Sequence, residues 1–195
     1  MKEPLQIYGN QLTLADVVQV SRGGRKVALA GEARLQVEAS RTYVEELVAQ
    51  ERVVYGITTG FGKFSDVRIS QDETTQLQKN LIMSHACGVG PHFSPEEVRA
   101  IMLLRANNLA KGFSGIRVST LEALLAMLNH NVIPAIPEKG SLGASGDLAP
   151  LAHMVLPLIG MGEAYYQGKL MPGAKALELA GLAPVELTSK ERLAL

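Results

Sequence analysis

Ser94-Pro95-Glu96-Glu97-Val98-Arg99-Ala100-Ile101-Met102-Leu103-Leu104-Arg105-Ala106-Asn107-Asn108-Leu109 is the stretch that decides the fold. A serine three residues before a glutamate forms a capping box, in which the hydroxyl takes the N3 amide and the carboxylate returns to the cap amide. Pro95 fits the first helical position, where an N–H would be unsatisfied anyway. Val98, Ile101, Met102, Arg105 and Leu109 then recur at helical spacing, and Gly112 ends the run. The same signature recurs on both sides. Ser70 with Glu73 predicts a helix with the inward face Leu77, Leu81, Ile82 and His85, stopped by Gly88. Ser119 with Glu122 predicts another, carrying Leu121, Leu124, Leu125 and Leu128 and stopped by Pro134. A weaker pattern, Leu35, Ala39, Tyr43 and Leu47, predicts a long helix ahead of a short β-branched stretch at Val53, Val54 and Ile57. Asp147 can cap a further helix through Leu158. The chain is therefore mainly α, with a few short strands and glycine-rich loops in the connections.

Composition narrows what such a fold does. In 195 residues, 47% are hydrophobic and 19% charged, enough apolar material for one sizeable core. Lys+Arg and Asp+Glu each number 19, so no global basic field draws the chain to nucleic acid or a membrane surface. The charge-free run from Leu148 to Gly162 is too short to span a bilayer. Met1 to Asn10 has no apolar core of signal-peptide length, and the single cysteine, Cys87, forms no internal disulfide. The expectation is a cytoplasmic protein. Thr188, three residues before Glu191, announces one more helix close to Leu195. This reads as a chain truncated before that helix is complete, which would leave Leu121, Leu124, Leu125 and Leu128 uncovered.

Three segments hold residues that neither a core nor an ordinary turn explains. Tyr55-Gly56-Ile57-Thr58-Thr59-Gly60-Phe61-Gly62-Lys63 is a flexible connection or a surface for close ligand approach, without the spacing of a phosphate loop. Ser84-His85 ends a helix; a lone inward histidine is either satisfied by a backbone carbonyl or placed for function. His92, His130 and His153 show no metal-ligand spacing, so no metal is expected. Gly140-Ser141-Leu142-Gly143-Ala144-Ser145-Gly146-Asp147-Leu148-Ala149-Pro150 is nearly free of bulky side chains. It admits three readings. A nucleophile elbow fails at the last glycine of its pattern, and an anion site at a helix N-terminus is opposed by Asp147. Backbone cyclisation suits the composition: the Gly146 amide nitrogen attacks the Ala144 carbonyl carbon with loss of water, and Ser145 loses its hydroxyl as a second water. Gly146 and Ala144 permit the close approach this needs.

GSLGASGDLAPLAH, residues 140–153, resembles the signature of the aromatic amino acid ammonia-lyases. YGITTGFGKF (55–64), NLIMSHACGVG (80–90), LLRANNLAKGFSGIR (103–117) and LTSKERLAL (187–195) resemble further family segments in the family's order. Thr58 stands where asparagine is common and Arg192 where glycine is usual. The resemblance implies that Ala144, Ser145 and Gly146 mature autocatalytically into the electrophile 4-methylideneimidazole-5-one (MIO), with no metal or nucleotide. It implies Tyr55 as an acid/base group, His85 beside the substrate side chain, and Gly62 and Asp147 as supports. Ser84-His85 resembles the family version that takes L-histidine, giving trans-urocanate and ammonia; phenylalanine or tyrosine is the alternative substrate. The whole protein is then expected to be a homotetramer acting on a small amino acid. Residues 1–195 would form a single N-terminal domain ahead of a central helical bundle. The competing expectation is a folded, non-catalytic helical module.

Overall fold

The computed structural model describes residues 3–50, 52–54, 57, 59, 79–141 and 148–195. In chain order the elements are β1 (Leu5–Ile7), α1 (Leu14–Ser21), β2 (Val27–Leu29), α2 (Gly31–Ala49), α3 (residues 79–85) and β3 (Val89–His92). There follow α4 (Pro95–Leu109), α5 (Val118–His130), β4 (Ile133–Pro134), β5 (Pro137–Lys139) and α6 (Leu148–Leu158). The described chain ends with β6 (Glu163–Tyr166), β7 (Lys169–Pro172), α7 (Gly173–Leu179) and α8 (Glu191–Ala194). The mainly α expectation holds.

α4 starts as its sequence requires. The Glu97 amide donates to Ser94 Oγ at 3.3 Å, and the Ser94 amide donates to Glu97 Oε2 at 2.8 Å. These bonds to Ser94 hold the Glu97 carboxyl below its usual range. A second box, with aspartate in place of glutamate, starts α1 between Thr13 and Asp16. α5 departs from expectation. It begins at Val118 with Arg117 at the N-cap and no side-chain cap, so Ser119 falls inside the first turn. Glu122 pairs instead with Arg34 of α2, an ion pair that captures the carboxylate the box would need. The same helix ends at Asn131, which takes the left-handed conformation (φ 60°) three residues before Pro134.

The strand expected at Val53, Val54 and Ile57 is not formed there: 52–54 are irregular and Ile57 sits in a turn, its amide donating to the Val54 carbonyl at 3.1 Å. The Ser70 helix start and the Asp147 cap lie outside the described residues.

The core centres on α4 and α5, where Met102, Leu103, Ala106, Leu121, Leu124 and Met127 are fully buried. The leucine face expected to be uncovered is not: Leu121, Leu124, Leu125 and Leu128 are all buried, because α4, α2, β2 and α6 close over it. Arg99 of α4 joins two helix ends. Its guanidinium donates to the Val20 and Ser21 carbonyls at the end of α1, and to the Leu128 carbonyl and Asn131 Oδ1 at the end of α5. Burial lowers its pKa, while the negative ends of two helix dipoles favour the cation.

Thr188 and Glu191 do meet, but as part of a buried network rather than a helix cap. Lys190, not Thr188, precedes α8, and the fully buried Glu191 accepts from Arg117, Thr120 and Thr188. Burial pushes the Glu191 carboxyl up, and those donors outweigh it, leaving the carboxyl below its usual range.

Candidate functional site

The sequence elements are brought to the site by a short ladder. β3 and β5 run antiparallel, with Val89 opposite Lys139 and His92 opposite Pro137. The next residue outward on each strand is a glycine, Gly88 and Gly140, and here the two backbones touch. A Cβ built on Gly140 would lie 2.9 Å from Gly88 Cα and 3.2 Å from Ala149 Cβ. A Cβ built on Gly88 would lie 3.1 Å from both Pro137 Cβ and His153 Nε2. Three separate parts of the chain thus converge: the turn after α3, the end of β5, and the first two turns of α6.

Tyr55 and Gly62 lie outside the described residues, as do Ala144, Ser145, Gly146 and Asp147. The described residues Ser141 and Leu148 flank 142–147 on either side. What the structure describes is therefore the frame flanking both ends of that segment, with His85 three residues before Gly88 of that frame.

His85 is half-buried at the end of α3, beneath which Ile82 is buried. Its Nδ1 lies 2.6 Å from the Leu81 carbonyl oxygen and 3.2 Å from Ser84 Oγ, whose own hydrogen goes to the same carbonyl at 2.8 Å. A carbonyl only accepts, so in the neutral ring the proton sits on Nδ1 and Nε2 is the acceptor. One nitrogen is therefore satisfied by backbone, the structural alternative raised for a lone inward histidine. The other makes no hydrogen bond among the described residues.

His153, which shows no metal-ligand spacing, is the residue that sequence reasoning missed. From the second turn of α6 its Nε2 accepts the Gly88 amide at 3.0 Å, across 65 residues of sequence. Burial, then the nearby His92, lowers the His153 pKa, in keeping with a neutral acceptor. His92 is itself tied to Tyr165, Nδ1 to hydroxyl at 3.0 Å with the rings edge to face. The signal in the sequence was positional: His153 closes the 140–153 string one helical turn beyond Ala149, on the side of α6 that meets Gly140. Cys87 is exposed. Among the described residues no three His, Cys, Asp or Glu side chains cluster to hold a metal, and no helix is long and apolar enough to cross a membrane.

A family model described as aromatic amino acid lyase matches residues 12–195. Histidine ammonia-lyase of Alkaliphilus oremlandii is 61% identical over 191 residues, covering 98% of this chain and 38% of that relative. Histidine ammonia-lyase of Streptococcus gordonii is 56% identical over 195 residues, covering 100% and 38%. Among solved structures, histidine ammonia-lyase from Trypanosoma cruzi superposes with a TM-score of 0.92 at 34% identity, covering 99% of this chain and 37% of that one. The ergothionase of Treponema denticola does so with a TM-score of 0.93, also at 34% identity, covering 98% and 38%. The chain spans 38% of the length of the curated relatives it matches.

Proposed function

The chain belongs to the aromatic amino acid lyase family, and from that premise we propose that the whole protein eliminates ammonia from L-histidine to give trans-urocanate. The observation that carries the proposal is the convergence of the His85 segment with both flanks of residues 142–147. The choice of histidine is supported by the named histidine ammonia-lyases at 61% and 56% identity, and by Ser84-His85.

Elimination from an amino acid breaks two difficult bonds, to a weakly acidic β-proton and to an amine that leaves poorly. MIO, matured from Ala144, Ser145 and Gly146, supplies the electrophile that makes the amine a competent leaving group. The flanks suit such a group, because Gly88, Gly140 and Ala149 keep side-chain bulk away from the base of the segment, and any larger side chain at either glycine would meet backbone or His153. Asp147 and Gly62 support the loops. Tyr55 moves the proton; a phenol titrates near about 10 in water, so acting as a base requires its pKa to be lowered in the site. His85, with an acceptor Nε2, meets the N–H of the substrate imidazole. The enzyme works as a cytoplasmic homotetramer, with residues 1–195 as one domain ahead of a central helical bundle.

The test is turnover of L-histidine by the complete enzyme, read as trans-urocanate and ammonia, beside the mass of the peptide containing Ser145. The wild type is expected to lack two waters at that peptide. Ser145→Ala should abolish both that loss and the turnover. Undiminished turnover in Ser145→Ala, or a chain of full mass without activity, would overturn the proposal in favour of a non-catalytic module.

A further inference from the structure

We infer that His153 is a positioning residue for the substrate side chain: by accepting the Gly88 amide it holds the turn that carries His85 against α6, the helix that follows residues 142–147. The inference rests on the reading of His85 as the residue beside the substrate imidazole. It goes beyond that reading by naming what fixes His85 in place.

The local bonds of α3 run out just where His85 would need support. The Ala86 amide returns to the Ile82 carbonyl at 3.0 Å and the Cys87 amide to the His85 carbonyl at 2.9 Å, both within the last turn. The next amide, Gly88, is the one that leaves the helix and reaches across to α6. A backbone N–H can only donate, so His153 Nε2 accepts, and the ring is neutral with its proton on Nδ1. The bond is framed on its other sides. Pro137 Cβ and the Gly140 backbone stand against Gly88, so the turn has no room to slide toward β5. With α6 fixed by the buried Met154, Val155 and Leu158, the imidazole ties a mobile type of segment, a helix end, to a packed helix. Small errors in placing a group that meets substrate are costly to binding.

Two variants of the complete enzyme separate positioning from general stability. His153→Leu removes the acceptor, while His153→Gln keeps one on a side chain able to reach the same amide. Hydrogen exchange is followed by mass spectrometry in the peptide containing Gly88 and in a peptide from the middle of α4. For His153→Leu, exchange at Gly88 should accelerate about 10-fold with α4 unchanged. The KM for histidine should rise about 5- to 10-fold, as expected for one net hydrogen bond, with kcat moving less. His153→Gln should recover most of both effects. Unchanged protection at Gly88, equal acceleration in α4, an unmoved KM, or identical behaviour of the two variants would each overturn the positioning role. A wild-type enzyme with full mass at Ser145 and no histidine turnover would instead sink the functional reading. The exchange arm still decides the tether in that case, so the two failures are told apart.

Discussion

Replacing His85 with phenylalanine tests how much of the selectivity for histidine resides in one nitrogen. The geometry sets the size of the effect. Nδ1–H is committed to the Leu81 carbonyl at 2.6 Å, which leaves Nε2 as a lone acceptor with no hydrogen bond among the described residues. A neutral substrate imidazole carries one ring N–H, and pairing it with Nε2 satisfies both rings. Phenylalanine at position 85 removes the acceptor and leaves the substrate donor unpaired, a cost of about 1–3 kcal/mol, or about 5- to 150-fold in kcat/KM for histidine. Phenylalanine as substrate has no ring N–H to strand, so its kcat/KM should hold or rise. The same substitution also loses the bond to Leu81, about 1 kcal/mol of stability, which would lower both activities equally through lost folded protein. Steady-state kinetics on both amino acids, corrected for folded fraction, distinguish these contributions. An unchanged histidine-to-phenylalanine ratio would refute the reasoning and leave His85 with only its helix-end role.

Glu191 and Arg99, two buried charges, each set a stability that variants can measure. Glu191→Ala should cost about 1–3 kcal/mol in urea unfolding, since it takes the acceptor from the buried Thr120 hydroxyl and the Thr188 amide, while the partly exposed Arg117 keeps the Glu186 carbonyl. The folded Glu191 carboxyl lies below its unfolded value, so its contribution is full above the ordinary glutamate range and is lost as pH falls through the folded value. Glu191→Gln should accordingly flatten the loss of stability below about pH 4.5, read by circular dichroism across an acid titration. Arg99→Leu should cost about 2–3 kcal/mol in thermal or urea unfolding, because it removes the donor to the Val20 and Ser21 carbonyls at the end of α1 and to Asn131 Oδ1, while the Leu128 carbonyl keeps the Asn131 amide; a loss under about 0.5 kcal/mol would show that water replaces the guanidinium there.

The elements legible in the sequence are those whose signals are local. Ser94 and Glu97 sit within one turn of each other, with nothing competing for either, and α4 starts where they say. Ser119 and Glu122 have the same spacing, yet Arg34, 88 residues away, takes the carboxylate and the helix starts at Val118. Spacing alone could not reveal that competitor. Thr188 and Glu191 show the same limit more strongly: the carboxylate does reach Thr188, but Arg117 and Thr120 make it the centre of a buried network rather than a cap. The leucines of α5 were expected to lie bare on the premise that their covering lay elsewhere. Within this chain α2, β2, α4 and α6 already supply it, a result of long-range packing that no window of sequence contains.

Motifs in the sequence named the segments of the candidate site, and the packing of their described flanks was not legible for one physical reason, the double use of glycine. A glycine is needed either where φ is positive or where another backbone comes too close for a Cβ, and sequence cannot tell these apart. Gly112 and Gly115, in the 103–117 string, meet both conditions: φ is 74° and 69°, and a Cβ would lie 2.7 Å from the Gln36 carbonyl carbon and 2.5 Å from Val44 Cγ2. Gly88 belongs to the second: its φ is not positive, and what excludes a side chain is the ring of His153 on one side and Pro137 on the other. Gly140, before Ser141, meets both conditions, with φ of 152° and Gly88 Cα 2.9 Å from where its Cβ would lie, so only Gly88 of the pair marks close packing alone. The flanks of residues 142–147 are thus held together by two contacts, Gly140 on Gly88 and Ala149 on Gly140. The backbone cyclisation proposed for Ala144, Ser145 and Gly146 would demand close approach within that segment, and close packing of its two flanks agrees with that demand.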